Sequence, residues 1–161
     1  MEKSQHLPFF VYGTLLPDQP NFPLWESDII AMEPATLVGS RMYDMGYYPM
    51  LVTAVPSEVV QGMCITIHEA PYNAVLQRID DLEGYDPTKP DEVGYQRQAV
   101  EIVLANGRTQ PAWVYLGQPE LVTDKSPVAG GDWAAYAAHN QHHLQDWWAS
   151  IHTVAGLHKR Q

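Results

Sequence analysis

The stretch Ile79-Asp80-Asp81-Leu82-Glu83-Gly84-Tyr85 brings three carboxylates close together, and it is where this chain is best equipped to hold and move a proton. Pro71 through Leu82 carries Val75, Leu76, Ile79 and Leu82 at the spacing of one helix face. On a wheel of roughly 100° per residue with Val75 at the origin, Ile79 lies at about 40°, Leu82 at about −20° and Leu76 at about 100°. Glu83 lies at about 80°, inside the apolar arc; Asp81, at about 240°, faces water, and Asp80 sits at the arc's edge. Burial disfavours the charged form of a carboxyl group, and the partial negative charge of a helix C-terminus disfavours it again. A Glu tuned upward in this way suits general acid–base work. The bland alternative is a partly buried Glu satisfied by a neighbouring hydroxyl or by Arg97.

Other chemistries have less support. His139, His142, His143 and Asp146 lie at helical spacing, but they fall short of a His-Glu-x-x-His zinc signature and read better as a polar helix face. Cys64 stands in the apolar run Gly62-Met63-Cys64-Ile65, where an inert buried thiol is the expectation. There is no Gly-x-Ser-x-Gly elbow and no glycine-rich nucleotide loop. The expected chemistry therefore uses no metal and no organic cofactor.

The helix that carries Glu83 must be placed by strands. Short apolar runs bounded by turn residues read as strands over Pro8–Tyr12, Ala35–Tyr43, Pro49–Val55, Glu58–His68, Tyr95–Leu104 and Thr109–Leu116. Asn106-Gly107 is a hairpin signal between the last two. Pro17 to Pro23 holds three prolines and reads as loop. Gly84 suits the end of the internal helix. Asp132 caps a second helix, running to about residue 154, whose stripe includes Trp133, Tyr136, Trp147 and Trp148. The expected fold is α+β but mainly β. It is a small antiparallel β-barrel of about six strands, with one short internal helix and a C-terminal helix.

At 161 residues with 45% apolar and 17% charged composition, the chain reads as one globular domain over residues 1–161. Its formal charge of −10 repels phosphate backbones and anionic lipid, which argues against nucleic-acid or membrane partners. One cysteine, no basic–apolar leader and no apolar run near the ~20 residues of a membrane helix give a cytoplasmic expectation, as monomer or homodimer.

Five short motifs occur in order: Val11-Tyr12-Gly13-Thr14-Leu15, Gly46-Tyr47-Tyr48-Pro49, Asp80-Asp81-Leu82-Glu83-Gly84-Tyr85, Tyr95-Gln96-Arg97 and Val114-Tyr115-Leu116. Together they resemble the γ-glutamylcyclotransferase-like, or AIG2-like, family over about Pro8 to Gly117. The resemblance implies a β-barrel with a pocket at one end. It implies a Tyr-Gly-Ser/Thr-Leu loop whose backbone donates to the substrate, with Thr14 here where many members carry Ser. It also implies Glu83 as the catalytic acid–base residue, and a substrate-binding set of Tyr12, Gly13, Thr14, Leu15, Pro49, Tyr95 and Tyr115. The family reaction cyclises a small γ-glutamyl amide to 5-oxoproline and releases the amine. The competing reading is a non-catalytic binding or interaction module that keeps the barrel and the pocket.

Overall fold

A computed structural model of the chain describes residues 6–46, 48–54, 58–86, 88–89 and 94–138. The first half supplies strands β1 (Phe9–Val11), β2 (Ile29–Val38), β3 (Ser40–Asp44), β4 (Pro49–Thr53) and β5 (Val59–Ile67). Helix α1 (Tyr72–Glu83) follows, then the hairpin β6 (Gln96–Leu104) and β7 (Thr109–Leu116), the short β8 (Ser126–Pro127) and helix α2, described over Trp133–Ala138. A closed barrel runs β1-β5-β2-β6-β7, and β4-β3-β8 forms a small second sheet. The mainly β barrel with an internal helix is as expected from the sequence, but its wall has five strands, because β3 and β4 leave it to pair with each other.

One strand expectation needs correcting. Ala35–Tyr43 is not a single strand: β2 begins at Ile29 and stops at Val38, and β3 starts at Ser40. Gly39 between them has φ +95°, a left-handed conformation that turns the chain out of the barrel and that a side chain rarely adopts. Barrel pairing is antiparallel except at the closing seam, where β1 meets β7 in parallel at Phe9↔Trp113. That seam brings the C-terminal ends of both strands to the same rim.

Alternation along β1 feeds two cores. Phe9 and Val11 pack with the α1 stripe of Tyr72, Val75, Ile79 and Leu82. Phe10 and Tyr12 join Val60, Cys64, Ile102 and Val114. Val75 and Ile79 are fully buried, each contributing about 1.5–3 kcal/mol of apolar burial and fixing α1 against the barrel wall. The close approach of β5 to β1 depends on Gly62, where a Cβ would stand 2.3 Å from the Val11 carbonyl oxygen.

Helix α1 stops where the sequence indicates. Gly84 adopts the left-handed conformation at φ 76°, and its N–H returns to the Asp80 and Asp81 carbonyls, leaving Glu83 as the last helical residue. Asp132 caps α2 through an Oδ1 that accepts the Ala135 N–H at 3.1 Å. The expected continuation of this helix to about residue 154, with Trp147, Trp148 and the His139, His142, His143 and Asp146 group, lies outside the described residues. No described helix is long and apolar enough to cross a membrane.

Candidate active site

Tyr12 leaves the end of β1 and the chain turns at once, with the Leu16 N–H donating to the Gly13 carbonyl at 3.0 Å. The next two carbonyls are also engaged from the loop side. The Asn21 N–H donates to Thr14 O at 2.8 Å, and the Trp25 indole N–H donates to Leu15 O at 3.3 Å. The N–H groups of Gly13, Thr14 and Leu15 have no backbone acceptor among the described residues. Asn21, itself buried, adds a side-chain bond from Nδ2 to Thr14 Oγ1 at 2.9 Å. Opposite the turn stands Pro49, whose Cγ would lie 2.6 Å from a Cβ at position 13, so a glycine is needed there for close approach.

Across from this turn is the end of α1. Glu83, buried at 7% exposure, joins Tyr12, Gly13, Thr14, Leu15 and Pro49 in the wall of a pocket of about 360 Å³. Phe10, Val11, Tyr48, Tyr95 and Tyr115 complete the lining. All eight residues singled out from the sequence are therefore brought together around one cavity.

Burial is the main cause, and the charge of Asp80 the second, of a Glu83 proton affinity raised from an ordinary 4.5 to about 8. The sequence argument anticipated burial and a helix-end contribution; the neighbouring carboxylate is the cause it did not name. Arg97 does not satisfy Glu83, as the bland alternative allowed. It makes two bonds to Asp80, at 2.8 and 3.2 Å, and Asp80 also accepts the Tyr115 hydroxyl at 2.6 Å.

The tyrosines form a second, neutral layer. The Tyr12 hydroxyl donates to the Tyr115 carbonyl at 2.6 Å, and the Tyr95 hydroxyl donates to the Pro49 carbonyl. Burial pushes the Tyr12, Tyr95 and Tyr115 phenols well above their usual range. Tyr48 is pushed up to about 12 by burial and then by Glu83. Burial also pushes the Cys64 thiol up to about 11, away from nucleophilic use. Phe10, Val11 and Tyr48 of the lining, and Asn21 behind the turn, are not among the residues singled out from the sequence. Tyr48 had a signal, its place beside Pro49 in a quoted motif. Asn21 had none, because a loop asparagine looks the same in sequence whether buried or exposed.

Comparison with known proteins bears on the fold and the family. No curated protein matches the chain. Among solved structures, YkqA from Bacillus subtilis superposes with a TM-score of 0.59 at 21% identity over 84% of this chain, which spans only 42% of that protein. The ytfP protein of Escherichia coli gives 0.54 at 24% identity, covering 79% of this chain and 96% of its own. A yeast γ-glutamyl cyclotransferase specific to glutathione gives 0.52 at 15% identity, over 82% and 76% of the two chains. These likenesses are of fold. The family model for gamma-glutamyl cyclotransferase, AIG2-like, matches residues 9–135, a span that starts with β1, holds both the Gly13–Leu15 turn and Glu83, and reaches into α2. With that match covering most of its length, the chain belongs to the gamma-glutamyl cyclotransferase, AIG2-like family.

Proposed function

We propose that this protein cyclises a γ-glutamyl amide to 5-oxoproline and releases the amine, with Glu83 as the general acid–base residue. The observation that carries this reading is a buried carboxyl lining one pocket with the Gly13–Leu15 turn, whose backbone N–H groups have no backbone acceptor among the described residues; burial raises that carboxyl to about 8. An α-amino group has an ordinary value of about 7.7–8.0. A carboxyl matched to it takes the ammonium proton at little cost, whereas an ordinary Glu, some three pH units lower, would be a poor acceptor.

The nucleophile belongs to the substrate. Glu83 accepts a proton from the α-ammonium, and the freed amine attacks the γ-carbonyl carbon. A C–N bond closes the five-membered ring. The tetrahedral oxyanion sits against the N–H groups of the Gly13–Leu15 turn, which need no reorganisation because Asn21 and Trp25 already fix the turn. The bond to the leaving nitrogen then breaks as Glu83 returns its proton there; the ring nitrogen gives up its second proton to become the lactam N–H, and that proton leaves with the released amine as its ammonium. Tyr12, Tyr48, Tyr95 and Tyr115 shape the cavity so that the substrate folds back on itself, and orientation of this kind is worth several kcal/mol.

The test is detection of 5-oxoproline by mass spectrometry after incubating the protein with γ-glutamyl amines, γ-glutamyl dipeptides and glutathione, beside Glu83→Gln. Product from the unaltered protein alone is the expected result, and it identifies the leaving group. Equal product from both proteins would remove Glu83 from the mechanism.

A further inference from the structure

Asp80 is 3% exposed and lines no part of the pocket. Its partners reach it from the barrel wall. Arg97 of β6 binds it through two nitrogens and Tyr115 of β7 through its hydroxyl. The guanidinium is held over the Trp113 ring at 4.4 Å and the Tyr85 ring at 5.5 Å. A buried ion pair is a poor way to stabilise a fold, because desolvation offsets the attraction and well-packed apolar residues do as well or better. What apolar residues cannot supply is a fixed negative charge three positions before Glu83 on the same helix, where side chains are neighbours. Tyr115 adds a second link. Its hydroxyl holds Asp80, and its carbonyl accepts the hydroxyl of Tyr12, the residue that enters the donor turn.

We propose that Asp80 is a positioning residue for the reaction, whose buried charge, held by Arg97 and Tyr115, sets the pH at which Glu83 exchanges its proton. This rests on Glu83 being the proton carrier. The other ionisable groups facing Glu83 are Tyr12 at the end of β1, Tyr48 ahead of β4, Tyr95 ahead of β6 and Tyr115 on β7. All four are neutral phenols at physiological pH. Among the described residues, Asp80, backed by Arg97, is thus the formal charge that acts on Glu83. Burial supplies the larger effect and Asp80 the next, so removing Asp80 leaves Glu83 raised, but by less.

The experiment follows the Glu83 side-chain carboxyl by ¹³C NMR across pH, assigned by the loss of its signal in Glu83→Gln. It compares the unaltered protein with Asp80→Asn and with Asp80→Asn/Arg97→Gln, which leaves no unpaired guanidinium. The titration midpoint should fall by roughly one pH unit or more in Asp80→Asn, which removes a near like charge and keeps the cation, and by a smaller amount in the paired variant, which removes both charges. The acid limb of kcat/KM should move the same way, raising activity at pH 6 relative to the optimum by about tenfold per unit. Should Asp80→Asn fail to fold, the paired variant decides. An unchanged midpoint in a folded variant overturns the proposal. If the unaltered protein makes no 5-oxoproline, the cyclotransferase reading fails separately, because the carboxyl titration needs no turnover.

Discussion

Replacing Glu83 by Gln should make this protein more stable at neutral pH while abolishing its turnover. The buried carboxyl is raised from an ordinary 4.5 to about 8, so the folded chain keeps a proton that the unfolded chain has already lost over that interval. For a group raised in this way, the stabilising contribution is complete below about pH 4.5 and is lost as pH rises through about 8. At about 1.4 kcal/mol per pH unit, the loss is on the order of 3 kcal/mol by pH 7 and on the order of 5 kcal/mol above pH 8. Gln has nearly the same shape, stays neutral and lacks this slope. Urea denaturation of both proteins at pH 4.5, 7 and 8.5 reads the difference directly, and the contributions of other titrating groups cancel between them. The advantage of Gln should be near zero at pH 4.5 and grow to about 3 kcal/mol at pH 7, which for a chain of this size is a rise of roughly 6–12 °C in Tm. A difference that does not change with pH, or a Gln variant less stable at pH 7, would refute the assignment of Glu83 as a buried, proton-retaining acid.

The rate should follow the same group: kcat/KM should fall about tenfold for each pH unit below 8, and a profile flat from pH 6 to 8 would contradict it. Asn21→Ala removes the bond to Thr14 Oγ1 at 2.9 Å. It should cost about 1–2 kcal/mol in denaturation and, under the proposed mechanism in which the turn serves the oxyanion, lower kcat more than it raises KM; full kcat would show that the turn holds itself. Gly62→Ala places a Cβ 2.3 Å from the Val11 carbonyl oxygen and should destabilise by about 1–3 kcal/mol in the same assay.

How much could be read in advance depended on whether the deciding physics was local. Glu83 was legible because helical periodicity turns it inward, and nothing beyond the helix was needed to see that. Gly84 and Asp132 were legible as caps for the same reason. The Gly13 turn was found through its motif. What fixes the turn was not visible, because Asn21 and Trp25 act through contacts that the chain's return path creates. Asp80 illustrates the limit well. The wheel puts it at the arc's edge, yet at 3% exposure it is as buried as Glu83 at 7%, and Arg97, which the sequence allows as a partner for Glu83, binds Asp80 instead. The break at Gly39 is not visible in the pattern because apolar residues resume beyond it, Leu37 and Val38 before and Met42 and Tyr43 after, so the stretch reads as one strand.

The seam between β1 and β7 also bears on how the protein acquires its activity. Tyr12 and Tyr115 touch across 103 residues of chain. Closing so long a loop has a large entropic cost, and non-local pairing of this kind is slow to form. The β6–β7 hairpin, joined through Asn106-Gly107, has no such cost and can form while β1 is still unpaired on that side. The link from the turn through Tyr115 to the helix carrying Glu83 is therefore expected to form late in refolding. Recovery of turnover should lag behind recovery of the far-ultraviolet signal, and partly refolded chains will hold most of their secondary structure with no working site.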